Sequence, residues 1–159
     1  MRFRLAVIAG SALLMVMPLF ASGTTAVRLD VTVKVVPNCR IETTDLAFGV
    51  YDPIVENATR ELDGTASVRV LCTRNARAAI LIDSGSAGDR SLSSGGERLK
   101  YGIFSDEARR THWTGESPLL FEFSTGSTPR DLKVYGRIPP GQVVPAGWYT
   151  DTVTAIVDF

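Results

Sequence analysis

Few side chains in this chain of 159 residues are spaced for chemistry. His112 is its single histidine, so a Ser-His-Asp or Cys-His arrangement has one candidate base and no local signature around it. The carboxylates Asp83, Asp89, Asp106 and Glu107 stand in or near turns, where solvated acids are expected rather than an acid–base pair or metal ligands. Cys39 and Cys72 form no CxxC, and neither a zinc-ligand spacing nor a glycine-rich phosphate loop follows a strand. The expectation is therefore a protein that is not an enzyme, with no catalytic residues, no metal and no cofactor. Trp113 and Trp148 could mark a sugar-binding surface. Trp148 follows a turn and reads as packing, while Trp113 stays open. The sequon Asn57-Ala58-Thr59 is a pattern common by chance and carries little weight.

The cysteines gain meaning from the start of the chain. Arg2 and Arg4 precede an apolar run over residues 5–20, and small residues follow at Ala21, Ser22, Gly23 and Ala26. This pattern predicts a secretory signal over residues 1–23, cut between Ala21 and Ala26; the run is short for a membrane span. About 135 residues then remain, the size of one domain. A net charge of zero gives no electrostatic case for nucleic acid. In an exported chain two cysteines predict one disulfide, Cys39–Cys72, worth roughly 3–4 kcal/mol by the chain-entropy argument.

The elements that position these groups read as strands. In residues 27–36 the apolar Val27, Leu29, Val31, Val33 and Val35 alternate with Arg28, Asp30, Thr32 and Lys34, a period of two that puts the apolar groups on one face. Pro37 ends the run. Leu46 and Phe48 alternate up to the turn at Asp52-Pro53. Residues 65–73 place Val68, Val70 and Cys72 inward, and residues 77–83 read as a central strand. Residues 84–97, rich in Gly and Ser, read as a solvated linker. Residues 98–105 (Leu99, Tyr101 and Ile103 on one face), 119–123 and 131–139 add strands. The last segment, 148–159, carries Tyr149, Val153, Ala155, Val157 and Phe159 on one side. No apolar period of 3.6 residues is sustained. Short strands between Gly/Pro/Asp turns predict an all-β sandwich. An immunoglobulin-like sandwich continues with a further strand beside the last one, and nothing follows Phe159 to supply it.

The segments quoted next carry a resemblance. The alternating strand before Cys39, LAFGVYDP (46–53), VRVLCT (68–73), RLKYGIFSD (98–106), VYGRIPPGQ (134–142) and AGWYTDTVTAIVDF (146–159) resemble the spore coat protein U domain family, the subunit type of archaic (Csu-like) chaperone–usher pili. One departure is WTGE at 113–116, where members of that family often read WGDG or WGNG.

The resemblance implies an incomplete immunoglobulin-like β-sandwich lacking its last strand. Residues 24–37 would be an N-terminal donor strand and residues 38–159 the pilin domain. It implies a structural subunit of a surface pilus, exported through the periplasm, with a periplasmic chaperone, an outer-membrane usher and neighbouring subunits as partners. Val27, Leu29, Val31, Val33 and Val35 would be donor side chains. Tyr149, Val153, Ala155, Val157 and Phe159 would line the acceptor groove that the chaperone fills first. A spore or cyst coat protein and a surface-binding adhesin module are the alternatives. A tip adhesin is expected to carry a second, N-terminal binding domain in place of a donor strand, so one domain with a donor strand favours a shaft or adaptor subunit.

Overall fold

A computed structural model describes residues 22–85, 88–126 and 128–159. The expected signal, residues 1–23, lies almost wholly outside the described residues. Two units are distinguished: the stretch up to Lys34, and residues 35–159, which hold the nine strands found among the described residues. In the first, the described residues 22–34 belong to no strand and are exposed.

The strands of the second unit are β1 (Cys39–Thr43), β2 (Leu62–Cys72), β3 (Ala76–Ile82), β4 (Ser91–Ser94), β5 (Glu97–Lys100), β6 (Gly102–Phe104), β7 (Leu119–Phe123), β8 (Arg130–Ile138) and β9 (Ala155–Asp158). One sheet has the order β1-β2-β8-β6, a second β7-β3-β9, and β4-β5 is a hairpin. All pairings are antiparallel. No helix occurs among the described residues, so the fold is the all-β sandwich expected.

Period-two alternation builds the core. Val68, Val70 and Cys72 of β2, Val134 and Ile138 of β8, and Ala78, Ile80 and Ile82 of β3 are all buried, while their neighbours Arg69, Lys133 and Arg77 face out. β3 is central in its sheet, as its apolar run implied. Cys39 and Cys72 are disulfide-bonded and directly opposed in the β1–β2 register.

Four expectations need correction. Residues 84–97 are not a plain linker: Gly95 and Gly96, at φ 56° and 98°, make the two-residue turn that joins β4 to β5. Residues 98–105 are two strands, because the chain leaves β4 for β8 at Tyr101. Leu99, Tyr101 and Ile103 stay buried through the change of partner. The strand containing Leu46 and Phe48 is paired only through Thr43, after which residues 44–52 run outside any strand. Of the final segment only Ala155–Asp158 joins a sheet, opposite β3.

Candidate functional site: an open apolar groove

Residues 41–53, running on from β1, and residues 144–155, leading into β9, face each other as walls. Between residues 41–48 and 151–155 lies a cavity of about 580 Å³ floored by Val68, Ile82, Tyr101, Ile103 and Val134. Between residues 46–53 and 144–150 lies a second, of about 670 Å³, floored by Leu62, Leu92, Leu99 and Ile138. Leu46, Phe48 and Leu92 border both, so the two form one groove.

Local chemistry holds each wall in place. Gly64 and Gly136 face each other across the β2–β8 ladder. A Cβ on Gly136 would stand 2.7 Å from the Phe48 ring, so the glycine pair is the slot into which Phe48 and Leu46 settle. Tyr51 Oη accepts from Gln142 N at 3.0 Å and donates to the Pro139 carbonyl at 3.2 Å, tying the ends of the two walls together. The Gln142 side chain pairs with both backbone groups of Lys100, at 2.8 and 2.9 Å, as a strand neighbour would. On the outer side of the second wall, Thr150 exchanges backbone bonds with Ser93 at 2.8 and 3.1 Å.

Asp83 clamps the same wall through Thr154 N–H at 2.8 Å. Burial works against its charge, but the N–H groups of Thr154 and Gly85 outweigh this and hold the carboxyl below its ordinary range. Tyr101 Oη donates to Asp151 at 2.7 Å. Arg90 lies behind, donating through Nη2 to the carbonyls of Ile82 at 2.9 Å and Trp113 at 3.0 Å; burial lowers its pKa from the usual guanidinium value.

Of the residues expected to line a groove, Val153 and Ala155 border the first cavity and Tyr149 the second. Val157 is half-buried against the core and Phe159 is exposed. The five apolar residues Val27, Leu29, Val31, Val33 and Val35 are 79–90% exposed. Leu46, Phe48, Leu92 and Val144 were not expected as lining. Alternation had marked Leu46 and Phe48 as strand residues, and only the missing ladder after Thr43 makes them a wall.

The other candidates resolve plainly. Trp113 is fully buried and donates Nε1–H to the Ile80 carbonyl at 2.9 Å, so it is core and no sugar platform. Trp148, expected to pack, is 92% exposed at the rim of the second cavity. Asn57 is 2% exposed, with its amide engaged by Asp52 N and the Arg60 carbonyl, which leaves the sequon closed to a glycan in the folded chain. Asp106 caps its own turn through Arg110 and Thr111 N–H, and Asp89 pairs with Arg98 at 3.2 Å. Among the described residues no three His, Cys, Asp or Glu side chains are grouped to hold a metal.

Comparison with known proteins agrees with this architecture. The family model of the Spore Coat Protein U domain matches residues 25–156. Protein U of Myxococcus xanthus is 34% identical, over 72% of this chain and 71% of that protein. Among solved structures, a chain of the CsuC–CsuE chaperone–tip adhesion subunit pre-assembly complex, from the archaic chaperone–usher Csu pili of Acinetobacter baumannii, superposes with a TM-score of 0.53 at 26% identity. The match covers 79% of this chain but 40% of that one. The period-two strands, the groove they leave open and the match over residues 25–156 converge on one conclusion: the chain belongs to the Spore Coat Protein U domain family.

Proposed function

We propose that the chain is a structural, non-enzymatic subunit of a surface pilus of the chaperone–usher type, assembled by donor-strand complementation. The observation that carries the reading is the groove between residues 41–53 and 144–155, apolar at its floor and unpaired along its facing edges. Such an edge invites an added strand. Residues 27–36 have the complementary form, about 33 Å long at roughly 3.3 Å per residue, with one aliphatic face. Burying five aliphatic side chains at about 1.5–3 kcal/mol each contributes roughly 8–15 kcal/mol, before ordering costs. A periplasmic chaperone fills the groove first, and residues 24–37 of a neighbouring subunit replace it at an outer-membrane usher.

The test separates the two partners of the groove. Val31→Asp charges the centre of the donor face, so surface fibres should disappear while the subunit still co-purifies with its chaperone. Val153→Asp charges the wall instead, and should cost both the chaperone complex and the fibres, since an unpaired buried carboxylate costs several kcal/mol. Normal fibre yield from both variants would refute the proposal.

A second reading, a coat component of a dormant cell, draws on the family's description and on the likeness to Protein U. Immunogold labelling decides between them: filaments for a pilin, a continuous shell for a coat.

A further inference from the structure

The groove's second half is ringed by apolar side chains that face solvent. Val50 and Trp148 stand on opposite rims of that cavity. Val143 follows the Gln142 bonded to Tyr51, and Ile54 and Val55 follow Pro53 on the other rim. All five are strongly exposed. An apolar cluster of this kind at one end of a domain marks an interaction surface. The opposite end, where β1 begins and β9 ends, mixes the charged Arg40, Glu42 and Asp158 with the exposed Val36 and Phe159.

The occupant follows from chain length, given the donor-strand reading on which this inference rests. Only Pro37 and Asn38 lie between the apolar strand and Cys39, the first residue of β1. Two residues span about 7 Å at most. A copy whose strand is seated in a groove must therefore press its own body against the end of that groove. Each copy's own linker leaves from Cys39, beside the β1 end of its groove, so that end already faces the copy its strand enters. The end left for the incoming body is the one ringed by Val50, Val143 and Trp148, and head-to-tail contact of unlike faces gives an open fibre.

We propose that Val50, Val143 and Trp148 form a body-to-body interface that receives the β1 end of the next copy of this chain. The face presented to them is the one around Asn38, whose backbone is bonded to Thr73 at 2.9 Å. It carries the exposed Val36 and Arg74. An aliphatic group and a guanidinium are suitable neighbours for an exposed indole ring.

Paired cysteines in the full-length chain test this on surface fibres. Arg74→Cys combined with Trp148→Cys should give a disulfide ladder between neighbouring subunits under mild oxidation. Arg74→Cys combined with Asp158→Cys, at the opposite end, should give none. All three positions are exposed, so folding is not at risk. A ladder from the Asp158 pair, or from neither pair in cells that bear fibres, would overturn the interface and leave the donor-strand reading standing. Absence of fibres from the unmodified chain would defeat the pilus reading and this interface with it.

Discussion

Tyr101 and Asp151 meet at 2.7 Å where the floor of the groove touches its second wall. Tyr101 comes from the link between β5 and β6, while Asp151 belongs to a stretch that no ladder holds. The bond therefore ties the wall to the floor between the two points where backbone bonds hold it, Thr150 to Ser93 and Thr154 to Asp83. Burial, and then Asp151 itself, push the Tyr101 hydroxyl well above its usual range, so it stays a donor at any physiological pH.

Tyr101→Phe removes that donor and keeps the ring. A hydrogen bond to a charged group is worth about 1.5–3 kcal/mol, so the unfolding free energy of the purified subunit should fall by about that much, seen as a lower urea midpoint with an unchanged denaturant slope. A midpoint equal to the wild type would show that the wall is held by other contacts.

The disulfide should matter for the first wall in the same way. β1 is an edge strand, paired only with β2, and Cys39–Cys72 pins it at its start. Thiol labelling of the denatured, unreduced protein should find no free cysteine. Cys39→Ser with Cys72→Ser should cost roughly 3–4 kcal/mol. Two labelled thiols in the exported protein would contradict the pairing.

Acid should loosen the fold through a named pair of carboxylates. Thr154 and Gly85 hold Asp83 below its ordinary value of 3.8 against the effect of burial, and the Arg137 hydrogen bond, helped by Arg109, does so for Asp63. A carboxyl whose folded pKa is depressed contributes its stability above the unfolded value and loses it as pH falls toward the folded one. Urea midpoints should thus be flat from about pH 7 to pH 5 and drop below about pH 4. Asp83→Asn should lower the midpoint at neutral pH and flatten the acid limb. An acid limb unchanged in Asp83→Asn would remove Asp83 from the account.

Much of this was legible in the alternation. Val68, Val70, Cys72, Ala78, Ile80 and Val134 sit inward because β-branched and small apolar residues recur at every second position. What escaped the sequence was where a strand stops pairing. Residues 44–52 and 148–154 alternate as a strand should, yet they join no sheet and border the two cavities. Local pattern reports side-chain faces and says nothing of the neighbour across a ladder. The β4–β5 hairpin was hidden differently: Ser91 to Ser94 is polar, and only the Gly95-Gly96 pair announces the turn. Trp148 was misjudged because an aromatic beside a strand is ordinarily buried, and this one lies at a rim.

The central claim is that residues 27–36 act on a neighbour's groove and not on the fold of their own domain. Deleting them leaves β1 to β9 complete, so the deletion variant should still co-purify with its periplasmic chaperone at wild-type yield. The same variant should place no fibres on the cell surface. A strand belonging to its own sandwich would give the opposite result, with the subunit itself lost. Fibres formed by the deletion variant would contradict the donor-strand account outright.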